Sequence, residues 1–390
     1  MRRIYKDQVS KRLSGLSWDH IWTTAFDDLQ AHVKERVPLH KKMNYHEKVS
    51  SEFAPYQTVE HYDKIEEKLW EDSHHASSQR SVATHLRHRY VALHLTSGIL
   101  RCEYLYRAEI SDFLGLLAPK KDTDIHRMYI MINQIAVGKT NHGRTLYGRA
   151  TRHKDVNLCC IGALSFYLMY RIWCTKEFAG MTIDDWMDNS TWFDIKLLSD
   201  VHAEDNTKEM KNDSYSKHIK RILKKLNLVC DKLLHLGRNI GSRILEMLEE
   251  EMEGIRRMGQ WNPSIFDSSY STKLLMGPIR KLAGYNKMYF NTRTTVEPPL
   301  ELLKKTPIGE WIYDVKPEVE KRSKGKHPTA CHVLQFLCQL NEVFIQDAAA
   351  MQVLHSDRGD HPLFETLPLF ESDEFKVSSC VMYAFCFVFI

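Results

Sequence analysis

Apolar positions recur at helical spacing from about residue 61: Ile65, Leu69 and Trp70, then Val91, Leu93 and Leu95, then Leu105, Ile110 and Leu114. This predicts helices through 61–115, with Arg101 at a helix start. Ile125 to Val137, rich in Ile, Met and Tyr, and Thr145 to Val156 flank Asn141-His142-Gly143, which predicts a β-hairpin with Lys139 at its tip. Leu158 to Trp173 is apolar enough for a buried helix, and a loop follows through Asp184, Asp185 and Trp192. A polar stretch, Glu204 to Ser216, separates the halves. In Lys217 to Leu234, Ile219, Ile222, Leu223 and Leu226 share one helix face, and Lys217, Lys220, Arg221, Lys224 and Lys225 fall largely on the other. Ile240, Ile244, Leu245 and Leu248 mark the next helix. A short helical turn starts at Gly254 to Met258, and a last helix runs from about Cys331 to Leu354. Ahead of all this lies a polar, His- and Lys-rich segment with a helix around Trp18 to Val37. The whole predicts a mainly α chain with a small antiparallel β-sheet.

Composition shifts suggest edges. Residues 1–60 form an N-terminal helical segment, 61–295 the main domain, 296–378 a helical extension beginning near Val296-Glu297-Pro298-Pro299, and 379–390 an atypical apolar tail. The tail, Cys380 to Ile390, is far short of the ~20 apolar residues that cross a bilayer; it reads as a truncated or misread end. No other apolar run reaches that length, and the polar start Met1-Arg2-Arg3 lacks the apolar core of a signal peptide, so an intracellular chain is expected. With 390 residues and 43% hydrophobic content, a sizeable core can be buried. The nine cysteines show no metal-like spacing, and adjacent Cys159 and Cys160 suit burial on a helix. A formal net charge of +4 is too slight to announce a polyanion partner, so any basic footprint must be local.

The candidate chemistry lies in His235 and Arg238, in the run Leu234-His235-Leu236-Gly237-Arg238, followed by Trp261 and Tyr270 and preceded by Arg101 and Lys139. Transesterification at a DNA phosphate needs a nucleophile, donors for the nonbridging oxygens and an acid for the departing 5′ oxygen. Tyr270 would attack phosphorus. Arg101 and Arg238 offer planar forks suited to phosphate oxygens. His235 would add a donor or handle the tyrosine proton, Lys139 is the candidate acid, and the Trp261 indole N–H can donate to the phosphate. Each residue alone has an ordinary structural explanation: Arg101 as a partner of Glu103, Trp261 as a core aromatic, Tyr270 as a surface tyrosine. Only the set is informative. Gly138-Lys139-Thr140 lacks the glycine that a P-loop needs five residues earlier, where Asn133 stands. His74, His75, His85 and His88 do not make a convincing metal set, and neither metal nor cofactor is expected.

In composition and order these residues resemble the catalytic domain of the tyrosine recombinases, the phage-integrase family. The first arginine lies in Thr96-Ser97-Gly98-Ile99-Leu100-Arg101-Cys102-Glu103, the lysine on the hairpin, the His-x-x-Arg at a helix head, and the tryptophan in Met258-Gly259-Gln260-Trp261. Arg152-His153-Lys154-Asp155-Val156, Cys160 to Tyr167 and Gly259-Gln260-Trp261-Asn262 are similar to a fungal branch, which holds Crypton-type recombinases and the second domain of the large subunit of the point-centromere DNA-binding complex. The resemblance spans roughly residues 5–375. It implies an integrase-like catalytic-domain fold, with residues 1–60 as the remnant of a clamp domain, and a nuclear protein whose partner is double-stranded DNA. Lys217, Lys220, Arg221, Lys224 and Lys225 become a phosphate track, and the chain a dimer or multimer on DNA, with no membrane and no small-molecule substrate. Two readings stay open: a DNA-binding module that keeps the inherited clamp, and an active recombinase that cuts and rejoins strands through a 3′-phosphotyrosyl bond at Tyr270.

Overall fold

The computed structural model describes residues 59–119, 124–135, 145–203, 205–228, 230, 232–261, 274–355 and 360–388, all within one compact unit, Pro55–Ile390. The expected helix at 18–37, Lys139 and Tyr270 lie outside the described residues. No helix among the described residues is long and apolar enough to cross a membrane.

One helix forms the centre. α1 (Tyr62–His74) leads to α2 (Gln79–Ser97), whose N-cap Ser78 accepts from the Ser81 backbone N–H. From Leu86 to Thr96 every residue of α2 is buried, the signature of a helix surrounded by others. Its neighbours are α1, α4 (Cys160–Thr175) and α7 (Leu236–Met247). Cys159 and Cys160 are both buried at the head of α4. Between α2 and the sheet comes the short α3 (Cys102–Tyr106), started by Arg101.

The sheet is three antiparallel strands in sequence order: β1 (Phe113–Leu117), β2 (Tyr129–Ile135) and β3 (Leu146–Thr151). β2 and β3 pair as the expected hairpin, with Ile132 opposite Arg149 and Gln134 opposite Tyr147. β1 corrects the sequence reading, which had placed Leu114 on a helix. A 3-10 turn at Ile110–Asp112 breaks the helical spacing, and Phe113 enters the core beside Phe336 while Leu114 pairs with Ile132. Alternation along β2 divides the interior. Tyr129, Met131 and Ile135 join the main core, and Ile130 and Ile132 face a second cluster built on α7, α8 (Met252–Met258) and α9 (Met276–Leu282).

Along the rest of the chain, α5 (Ile183–Met187) precedes α6 (Asn212–Lys225). α6 ends at Lys225, earlier than the expected Leu234, and Asn227 beyond it is left-handed at φ +55°; a 3-10 turn at Leu233–His235 then leads into α7. The C-terminal region consists of α10 (Leu300–Lys304), α11 (Gly309–Ser323), α12 (Pro328–Leu354), α13 (Pro362–Thr366) and α14 (Asp373–Val388). α12 lies against α4, α11, α14 and β1, and its apolar side chains between Val333 and Met351 belong to the main core. The apolar tail continues α14, with Phe375 and Met382 buried.

A buried ionic hub joins α12 to the segment after β3. Arg152 Nη2 donates to Asp347 Oδ1 and Arg152 Nη1 to Gln346 Oε1, while Arg293 Nε lies 2.8 Å from the same Asp347 oxygen. Arg293 also donates to the carbonyls of His153 (2.6 Å) and Lys154 (2.9 Å). These carbonyl dipoles help to balance the second guanidinium, because two cations share one carboxylate away from water.

Candidate functional site

Four of the six expected site residues are described, and all four gather where α2, α3, α7 and the end of α8 meet. Arg101 arrives through a Schellman turn that closes α2. The Leu100 N–H donates to the Leu95 carbonyl (3.1 Å) and the Ile99 N–H to that of Thr96 (3.4 Å). The left-handed position of this turn is held by Ile99, φ +50°, a β-branched residue where glycine is usual. Its side chain is buried in the second cluster, which offsets the backbone cost.

The second arm is α7. Gly237 and Gly241, one turn apart, let its backbone lie directly on the end of α2. A β-carbon at 237 would sit 2.7 Å from Leu95 Cβ, and one at 241 only 2.2 Å from the Thr96 carbonyl oxygen. Arg238, between the two glycines, is thereby brought beside Arg101. Cys102 adds a tie, its Sγ donating to the Leu234 carbonyl at 3.1 Å, next to His235.

Trp261 is delivered by another Schellman turn, at the end of α8. The Trp261 N–H donates to the Arg256 carbonyl (3.0 Å) and the Gln260 N–H to that of Arg257 (3.2 Å), with Gln260 left-handed at φ +58°. The Gln260 side-chain amide donates to the Tyr147 carbonyl on β3 (2.8 Å) and pins the turn to the sheet. The Trp261 ring covers Gly259 so closely that a β-carbon there would lie 2.0 Å from it. On that ring rests the Arg238 guanidinium, 4.2 Å from the centroid, and Arg238 Nη2 donates to the Gly259 carbonyl.

Positive charge outweighs negative in this cluster, where Glu103 is the carboxylate beside Arg101. Burial, and then the charge of Arg101, push the Arg238 guanidinium down to about 10. Burial, then Arg238, Arg101 and Lys232, hold the His235 imidazole below its usual range. Glu103 stands 3.9 Å from Arg101, and the Tyr104 hydroxyl accepts from Arg101 at 3.4 Å. Two guanidinium groups side by side repel each other and disfavour the charged imidazole, a cost that a bound anion would reduce. The arrangement can therefore bind an oxyanion, with the Arg238 fork fixed by the Trp261 face and the Gly259 carbonyl.

The basic face of α6 is put to more than one use. Lys217, Lys220 and Lys224 are exposed, with Lys217 3.6 Å from Asp213. Arg221 and Lys225 each lie 3.0 Å from Asp72 of α1, whose carboxylate also receives His218 at 2.9 Å. Those two cations thus hold α6 to α1. Sequence reasoning missed this, as it missed Gly237 and Gly241. The pair did carry a signal, since glycine inside a helix costs about 1 kcal/mol against alanine and is kept where backbones approach closely. Among the described residues no group of His, Cys, Asp and Glu could hold a metal ion.

Residues 63–376 match the family described as centromere DNA-binding protein complex CBF3 subunit, domain 2. The chain belongs to that family. This meets the part of the expected kinship that concerns the second domain of the centromere-complex subunit, and the structure gives the runs at Arg152, Cys160 and Gly259 a physical role. Arg152 anchors the ionic hub. Gly162 makes room for it, since a β-carbon at 162 would lie 2.0 Å from Asp347 Oδ2. Gly259-Gln260-Trp261 forms the turn under Arg238. No curated protein matches the chain. Among solved structures, the chain resembles a "FLP Recombinase-Holliday Junction Complex I" at TM-score 0.36 and 9% identity, over 85% of this chain and 72% of that one. It also resembles a "Flpe-Holliday Junction Complex" at TM-score 0.38 and 11% identity, over 84% of this chain and 72% of that one.

Proposed function

We propose that this member of the CBF3-subunit domain 2 family binds duplex DNA through backbone phosphates, with Arg101, His235 and Arg238 closing on one of them. The observation that carries this reading is the convergence of the Arg101 and Arg238 guanidinium groups beside the His235 imidazole, with the Arg238 fork held by the Trp261 ring and the Gly259 carbonyl. The family's description as a centromere DNA-binding complex supports the same partner and a place of work in the nucleus. Lys217, Lys220 and Lys224 extend the contact along α6, and Arg221 and Lys225 join it to the extent that Asp72 releases them.

At a finer level we assign the chain to the Crypton-type branch and read the site as able to cut and rejoin a strand. Tyr270 attacks phosphorus, Lys139 protonates the leaving 5′ oxygen, and Trp261 lends its indole N–H, in a multimer assembled on DNA. What favours this reading over simple binding is that the fork of Arg238 is held on two sides, the preorganisation that stabilises charge developing in a transition state.

Fluorescence anisotropy on a 30-bp duplex of random sequence tests the binding, and a nicked suicide duplex tests the chemistry. Affinity should fall between 50 and 200 mM salt with a log-log slope of about −0.9 per phosphate contact. Lys220→Ala should weaken binding to all sequences and make the slope shallower, and Tyr270→Phe should leave affinity unchanged. Absence of salt-sensitive binding would overturn the proposal. A covalent adduct that disappears in Tyr270→Phe is expected from the strand-transfer reading; binding without any adduct removes that reading alone.

His235 supplies a pH signature. Its depressed titration means that the free protein resists protonating it, so that part of its stability is lost as pH falls below about 6.5, the unperturbed histidine value. A bound phosphate reverses the sign by favouring the imidazolium. Binding should then take up a proton and tighten several-fold more between pH 7.5 and 5.5 in the wild type than in His235→Gln. Equal pH dependence in the two proteins would exclude His235 from the phosphate.

A further inference from the structure

Arg149 lies on β3 opposite Ile132, a residue of the second cluster, so its side chain projects to the α7–α9 side of the sheet. It is 8% exposed. Every other arginine so deeply buried among the described residues is matched. Arg89 meets Glu66 at 2.7 Å, Arg171 meets Glu177 at 2.8 Å, Arg152 and Arg293 share Asp347, Arg87 donates to the Leu198 carbonyl at 3.0 Å, and Arg238 donates to that of Gly259. Arg149 has no carboxylate or carbonyl partner among the described residues. Its charged neighbour is a like charge, Arg257 of α8, and burial followed by that charge pushes Arg149 down to about 10. A buried guanidinium without an anion is costly, and a second cation beside it makes the position worse.

The position is tied to the site above. Tyr147, two residues before Arg149, accepts from the Gln260 amide, and Gln260 stands between Gly259, which takes the Arg238 hydrogen bond, and Trp261, on which Arg238 rests.

We infer that Arg149, with the charge of Arg257 beside it, forms a second oxyanion subsite that takes a phosphate of the same strand as the one at Arg101, His235 and Arg238. The ligand class is a phosphodiester or other tetrahedral oxyanion. The inference deepens the proposed function and rests on it for the identity of the strand, while the anion site itself does not. Stability is lower than it would be with an apolar residue at 149, and the bound phosphate restores the balance.

Two measurements on the full chain separate the possibilities. The first compares wild type with Arg149→Met, which has a side chain of similar length without the charge. On the random 30-bp duplex the variant should bind several-fold more weakly at 100 mM salt, with a slope shallower by about 0.9. Its urea midpoint should stay level or rise. The second follows the Arg149 Nε–H resonance in 15N-arginine-labelled protein, assigned by its absence in Arg149→Met, during titration with inorganic phosphate; the signal should move and saturate. If the duplex binds with the same slope in both proteins, or if the phosphate titration leaves the Arg149 signal in place, the subsite is overturned. If Arg149→Met loses affinity only in step with a loss of stability, a structural role replaces it. If phosphate moves the signal while the wild type ignores the duplex, the subsite stands and the DNA reading fails.

Discussion

Asp347→Ala should lower the unfolding free energy by about 3–5 kcal/mol, the range seen when one partner of a buried ion pair is removed and the other is left uncompensated. Here two partners would be left. Arg152 and Arg293 both direct a guanidinium to Asp347 Oδ1, and neither residue is more than 2% exposed. The carbonyls of His153 and Lys154 and the amide oxygen of Gln346 would remain, yet none carries a full negative charge. The carboxylate also fills the space over Gly162, so its loss opens a cavity between α4 and α12. Urea unfolding followed by circular dichroism provides the test. Adding Arg152→Met to Asp347→Ala should recover part of the loss, because one orphaned charge is removed. A loss below about 1 kcal/mol in Asp347→Ala would show that the hub contributes no more than a surface pair does.

Gly241→Ala should destabilise the protein by about 1–3 kcal/mol through overpacking, although alanine is the better helix former by about 1 kcal/mol. The contact decides the sign. The new β-carbon would meet the Thr96 carbonyl oxygen at 2.2 Å, and a backbone carbonyl cannot swing aside as a side chain can. α7 must withdraw from α2 and carry Arg238 away from Arg101. Duplex affinity should therefore fall as well, by about tenfold for each 1.4 kcal/mol of lost contact. Gly180→Ala is the control, since nothing lies within 4 Å of a β-carbon there. Should Gly241→Ala melt higher than wild type, the close approach of the two helices does not govern the site.

The parts of the site that could be read in advance were those whose chemistry is local. His235 and Arg238 share one turn of one helix, and their spacing puts both at the head of α7. Arg101 stands at the start of a helix, as the apolar spacing through 61–115 implied. The β2–β3 hairpin followed from two β-rich runs around a turn signal. Lys139 and Tyr270 keep their place in the proposal on chemical grounds alone. Less legible were features made by residues distant in sequence. Arg152 and Asp347 are 195 positions apart, and Arg221 meets Asp72 across 149, so no window of the chain could show either pair. The basic stripe of α6 looked uniform for that reason, although Asp72 claims two of its five cations.

The sequence by itself determined the helical and strand periods, the family, and the types of residue available to a phosphate, because these depend on side-chain chemistry and short-range spacing. Tertiary structure alone decided which cations are paired and which are left wanting an anion. Arg149 and Arg152 are both buried arginines three residues apart, and one faces Asp347 while the other faces Arg257. Alternation along β3 and the turn after it send them to different sides of the sheet, and what waits on each side is set by helices far along the chain.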